Sequence, residues 1–231
     1  MATDSIQPIV HSAKAMVYYT VFDDVQIPID KKLIQALPDF ISEEIFQYKK
    51  QADINRLTAG KYLLKKILLD LGYDLSLFNA YTTDNMGKPY IADFLPFNIT
   101  HSGRVVACVV LLEKGNIGID VEKIREIEVR NFDKQFSAPE MMQILASKNP
   151  TQTFFEYWTI KEAVMKADGR GMRIPLHSIK LRRGIATIDD LNVEWNLYPL
   201  ALHETVKSHV SSDFKLTNIE TKKWELSDLL A

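Results

Sequence analysis

The chain has 231 residues, 46% of them hydrophobic and 25% charged. That balance excludes a disordered or fibrous polymer and allows one large domain or two small ones, each with a real core. A formal charge of −2 excludes general attraction to nucleic acid or anionic membrane, while leaving room for a local basic pocket around a phosphorylated ligand.

The one cysteine, Cys108, lies in the apolar run Val105 to Leu112 and reads as a buried thiol in a reducing compartment. The stretch up to Tyr19 lacks a basic start followed by an apolar core, and no run of about 18 apolar residues occurs. The expectation is a cytoplasmic protein with neither nucleic acid nor membrane as partner.

In chain order, Met16 to Phe22 is β-branched and aromatic and predicts a buried strand. From Ser42 helix formers take over. Ile54, Leu57, Ala59, Tyr62, Leu63, Ile67 and Leu68 recur at helical spacing until Gly72, and Arg56, Lys61, Lys65 and Lys66 make that helix basic. Asp84 to Pro89 is turn chemistry. Phe97 to Thr100 and Val105 to Leu112 then predict a hairpin, closed through His101, Ser102 and Gly103. After a polar turn, Ile117 to Glu122 predicts a strand with Ile117, Ile119 and Val121 on one face and Gly118, Asp120 and Glu122 on the other.

Ser137, Pro139 and Glu140 have the order of a helix start, and Thr151 to Asp168 predicts a second helix stopped by Gly169 and Gly171. From Ile179 onward short β-like pieces predict a meander. The order strand, helix, hairpin, then strand, helices, strands predicts an α+β protein of two similar halves, 1–113 and 114–231, packed tightly.

Asp120 and Glu122 project side by side. Adjacent ionised carboxylates repel unless protonated, paired with cations or bridged by a metal, and oxygen ligands suit a hard ion such as magnesium; a solvated strand edge is the plainer alternative. On the helix, Ile160, Ala163, Val164 and Ala167 form the core stripe and leave Glu162 and Lys166 one turn apart on another face. Glu162 is a candidate third ligand or half of an ordinary surface pair. His101 stands in a turn where a phosphate can be held or a backbone group capped; Lys88 and Arg56 are equally open between ligand contact and solvent. His11, His177, His203 and His209 show no ligand spacing. The glycines at 169 and 171 follow a helix, whereas phosphate-cradling loops precede one.

Together, Phe97-Asn98-Ile99-Thr100-His101-Ser102, Ile117-Gly118-Ile119-Asp120-Val121-Glu122 and Trp158-Thr159-Ile160-Lys161-Glu162-Ala163-Val164-Met165-Lys166-Ala167, with Gly87-Lys88-Pro89 upstream, resemble the ordered motifs of the 4'-phosphopantetheinyl transferase superfamily. Length and motif position resemble its surfactin-type branch, whose single chain is a pseudodimer with the active site in the cleft between its halves. The resemblance covers about residues 50 to 172; Thr100 stands where the family often has serine, and nothing beyond Pro175 matches a motif.

The resemblance implies that Asp120, Glu122 and Glu162 hold Mg2+ with the pyrophosphate of coenzyme A. It places Lys166 near the same phosphates, His101 and Thr100 at the 3'-phosphate, and Arg56 and Lys88 along the nucleotide pocket. It implies transfer of 4'-phosphopantetheine to a serine of an apo acyl or peptidyl carrier protein, with Glu162 and Lys166 catalytic and 3',5'-adenosine bisphosphate released. A chain that already holds two halves is expected to be monomeric. The competing readings are another magnesium-dependent phosphoryl transferase and a silent module that binds coenzyme A or a carrier protein.

Overall fold

The computed structural model describes residues 13–189 and 193–231; His11 lies outside them. The described chain opens with β1 (Ala13–Val21), α1 (Lys31–Gln35), α2 (Asp39–Phe46) and the 20-residue α3 (Gln51–Asp70). The short hairpin β2 (Tyr81–Thr83) and β3 (Pro89–Ile91) follows, then β4 (Phe97–Ser102) and β5 (Val105–Leu111). Next come β6 (Ile117–Lys123), α4 (Ala138–Ala146), α5 (Pro150–Asp168), β7 (Ile179–Arg182), β8 (Ile185–Ile188), β9 (Glu194–Leu200) and β10 (Val206–Ser212). The chain finishes with β11 (Leu216–Lys223) and α6 (Leu226–Leu230).

Two sheets stack, one ordered β11-β1-β5-β4 and the other β6-β10-β9-β8-β7. Every residue of β5 is buried, because its two faces meet two different cores. Val106, Cys108 and Val110 pack with Leu63, Leu64 and Ile67 of α3. Val105, Ala107, Val109 and Leu111 pack with Ile117, Ile119 and Val121 of β6. Each fully buried aliphatic side chain of this kind contributes about 2 kcal/mol. The layers therefore run α3, first sheet, second sheet, α5, and the fold is α+β as expected. Among the described residues no helix is long and apolar enough to cross a membrane.

The expected meander holds for β7 to β10, all antiparallel. The last strand departs from it: β11 runs parallel to β1 in the first sheet, and Leu229 of α6 is buried in the core under α3. Residues 216–231 thus complete the sheet and core built by β1, β5 and α3. Alternating apolar residues identify a strand but carry no information about which edge it joins.

Glycine decides how closely α5 lies on the second sheet. A β-carbon on Gly118 would collide with the backbone of Ala163 and Ala167, so a larger residue there would lift the helix. At the helix end Gly169 takes the left-handed conformation with φ of 90° and its N–H returns to the Met165 carbonyl, the usual glycine stop. Lys88 Nζ donates to the Ala167 carbonyl at 2.8 Å, satisfying another of the terminal acceptors that a helix leaves unpaired.

Candidate active site

The seam between the sheets lies where β4 meets β6, and side chains bridge it. Asn98 Oδ1 accepts from the Ile119 N–H at 3.0 Å, Thr100 Oγ1 lies 3.4 Å from Asp120 Oδ1, and Ser102 Oγ donates to Glu122 Oε2 at 2.9 Å. Three alternate residues of β4 therefore fix the face of β6 that carries the two carboxylates. The polar face of the 117–122 strand looks outward beneath α5, as its alternation predicts, while Ile117, Ile119 and Val121 are at most 1% exposed.

A cleft of about 300 Å³ opens there, lined by Thr100, His101, Asp120, Glu122, Glu162, Lys166 and Trp158. Six of the eight candidates from the sequence meet in it. Lys88 lines an adjoining cavity of about 170 Å³ that shares Lys166 with the first. Arg56 stands off on α3, bonded to Asp53 at 2.9 Å and to the Gly103 carbonyl at 2.8 Å, so it braces the turn that follows His101.

Asp120 is 4% exposed. Its Oδ1 takes Lys166 Nζ at 2.6 Å, and Lys166 also donates to Thr100 Oγ1 at 3.0 Å. Its Oδ2 is buried with no hydrogen-bond partner, which costs free energy unless a cation or donor meets it. Glu122 is 3.6 Å from Arg125. Burial, then the neighbouring Asp120 charge, raises the Glu122 pKa above the usual carboxylate range. Glu162 is pushed up to about 7, first by burial and then by the Asp120 charge, with Lys166 opposing. A carboxyl poised there exchanges protons readily near neutral pH. His101 sits at the cleft mouth with its pKa lowered by the protein packed round its ring and by the charges of Arg56 and Lys166.

Among the described residues no three acidic, histidine or cysteine side chains are drawn together as a ready metal cage. Asp120 instead pairs with Lys166, and Glu122 with Ser102 and Arg125. The donor set is nevertheless all oxygen: Asp120, Glu122 and Glu162 line one cleft and Asp120 Oδ2 has no partner, which suits a hard divalent cation.

Sequence reasoning missed three supports. Lys161 is fully buried, donating to Glu140 Oε2 at 2.9 Å and to the carbonyls of Leu176 and Ile179; a lysine in a helix reads as solvated by default. His209 is the register partner of Asp120 and its Nδ1 lies 2.8 Å from Thr159 Oγ1. Trp158, quoted only as part of a motif, forms a wall of the cleft.

Residues 116–217 match the model of the 4'-phosphopantetheinyl transferase superfamily. The chain is similar to the 4'-phosphopantetheinyl transferase gsp of Aneurinibacillus migulanus, 28% identical over 89% of this chain and 91% of that one. It is similar to the 4'-phosphopantetheinyl transferase Sfp of Bacillus subtilis, 32% identical over 67% of this chain and 72% of that one. The holo-[acyl-carrier-protein] synthase of Thermotoga maritima aligns over 42% of this chain and 61% of its own, at 15% identity and a TM-score of 0.33, a likeness too slight to argue from. The identity to Sfp, spread over more than two thirds of that relative, shows that this chain belongs to the 4'-phosphopantetheinyl transferase superfamily of enzymes.

Proposed function

We propose that this protein transfers 4'-phosphopantetheine from coenzyme A to a serine hydroxyl of an apo acyl or peptidyl carrier protein. The observation that carries the reading is the buried, unpartnered Oδ2 of Asp120 in a cleft shared with Glu122, Glu162 and Lys166, in a chain of this superfamily. Asp120, Glu122 and Glu162 would hold Mg2+, which when bound supplies neutralising charge to the pyrophosphate.

Lys166 lies against the same carboxylate and binds the phosphoryl oxygens as charge moves onto them. Glu162 takes the proton of the incoming serine hydroxyl as its oxygen bonds to the β-phosphorus. The bond from that phosphorus to the bridging oxygen breaks, and its electron pair leaves on 3',5'-adenosine bisphosphate. Thr100, His101 and Lys88 would line the side that takes the nucleotide, with Arg56 bracing the turn after His101. The two halves, 1–113 and 114–231, with residues 216–231 of the second crossing back onto the first sheet, would form a pseudodimer around this cleft, in a monomeric cytoplasmic enzyme.

The test is intact-mass analysis of a panel of apo carrier proteins incubated with the protein, coenzyme A and Mg2+. One phosphopantetheine should be added, and Asp120→Ala and Glu162→Ala should lose the activity while folded. Unmodified carriers across the panel, or full activity in both variants, would overturn the proposal.

A further inference from the structure

On α5, Trp158, Glu162 and Lys166 follow at intervals of four residues and line one cleft. Four residues rise about 6 Å along a helix, so the three form a ladder about 12 Å long. The cationic end carries Lys166, with Lys88 and Thr100 beside it. The other end is aromatic, and its ring is held in place. Trp158 stacks on Phe154 at 5.5 Å between centroids and meets the edge of Phe132 at 5.7 Å. Phe136 closes the cage at 6.4 Å. A half-buried indole fixed on several sides is a preformed apolar surface, and preformed surfaces bind without the entropy cost of ordering a side chain.

Coenzyme A has one bulky apolar group close to its reacting phosphorus, the pair of methyls on the pantoyl carbon, one methylene beyond the phosphate ester oxygen. Resting on the function proposed above, we infer that Trp158 is the specificity-determining residue that receives this dimethyl group and so orients the pantetheine arm away from the nucleotide. With the pyrophosphate at the level of Glu162 and Lys166, the dimethyl carbon falls within one helical turn of the indole. The arm carries no charge before its thiol, which matches an aromatic end and not a cationic one. The incoming serine then approaches the phosphorus from the side the arm leaves open.

The test compares dissociation constants for coenzyme A, for a coenzyme A analogue lacking the two pantoyl methyls, and for 3',5'-adenosine bisphosphate, which has no arm. Wild-type protein and the Trp158→Ala and Trp158→Phe variants are measured with Mg2+. Burial of two methyl groups corresponds to about a tenfold change in affinity. The wild type should bind the analogue about tenfold more weakly than coenzyme A. Trp158→Ala should not distinguish the two and should bind 3',5'-adenosine bisphosphate as the wild type does. Trp158→Phe, which keeps the aromatic cage filled and guards against a folding defect, should show an intermediate preference.

Equal loss of all three ligands in Trp158→Ala would overturn the inference, since a merely structural role lowers them together. So would unchanged coenzyme A binding with a raised KM for the carrier protein, which would assign the indole to the serine-bearing loop. A wild type that binds neither coenzyme A nor 3',5'-adenosine bisphosphate would instead sink the proposed function itself.

Discussion

Lys166 holds one oxygen of Asp120 at 2.6 Å while the other oxygen of that carboxylate is buried and unpartnered. The ammonium alone therefore balances the charge without satisfying the group. Lys166→Met should destabilise the protein by about 3 kcal/mol in magnesium-free buffer, the scale for breaking a buried pair, and should lower turnover at least about a hundredfold. Thermal melts with and without millimolar Mg2+ check this: the variant should recover more stability from magnesium than the parent does. No magnesium response in either protein would mean that the carboxylate has no use for a cation.

Gly118 lets the backbone of α5 sit directly on β6. Overpacking a tight contact costs about 1–3 kcal/mol, and here the obstruction is backbone, so Gly118→Ala should reach about 3 kcal/mol. Because Glu162 and Lys166 ride on the displaced helix, transferase activity should fall further than the loss of stability explains. Urea unfolding and turnover measured on the same preparation separate the two effects.

Lys161, with no exposed surface, ties α5 to Glu140 at the start of α4, to the Leu176 carbonyl and to the Ile179 carbonyl that opens β7. Lys161→Met should cost about 3–5 kcal/mol by leaving the buried Glu140 charge without its partner. In Lys161→Met combined with Glu140→Gln the cost should be smaller, as a double-mutant cycle by urea denaturation would record.

His209 gives the acid limb of stability a predicted shape. Its Nδ1 lies 2.8 Å from the Thr159 hydroxyl, which is also 2.8 Å from the Phe155 carbonyl. Burial lowers the imidazole pKa to about 4 from 6.5. Between those values the unfolded chain takes up a proton that the fold does not, so stability present above pH 6.5 is lost as pH falls towards 4. The loss amounts to about 3 kcal/mol. His209→Asn, whose amide can still hydrogen-bond Thr159, should flatten that limb in melts taken at successive pH values; an unchanged slope would show that other groups carry it.

Much of the site was legible because two periodicities are local. The period-two alternation of Ile117 to Glu122 placed both carboxylates on one face, and the helical stripe through Ala163 and Ala167 put Glu162 and Lys166 on another. The partner of each face was less accessible. Nothing in Leu216 to Lys223 specifies pairing with β1 rather than β10, since edge choice depends on distant chain. Lys161 and His209 were passed over because a lysine or a lone histidine becomes informative only when its neighbours in space are known. Asn98 and Ser102 belonged to a quoted motif, but their bridging of β4 to β6 is tertiary.

The central claim, that Asp120, Glu122 and Glu162 share one divalent cation, is tested most directly by diffraction from crystals grown with coenzyme A and Mn2+, using the manganese anomalous signal. The account predicts a peak bonded to Asp120 Oδ2 and to Glu122 or Glu162, in contact with the pyrophosphate. A peak bound elsewhere, or coenzyme A seated in the cleft with no metal near these carboxylates, would contradict it.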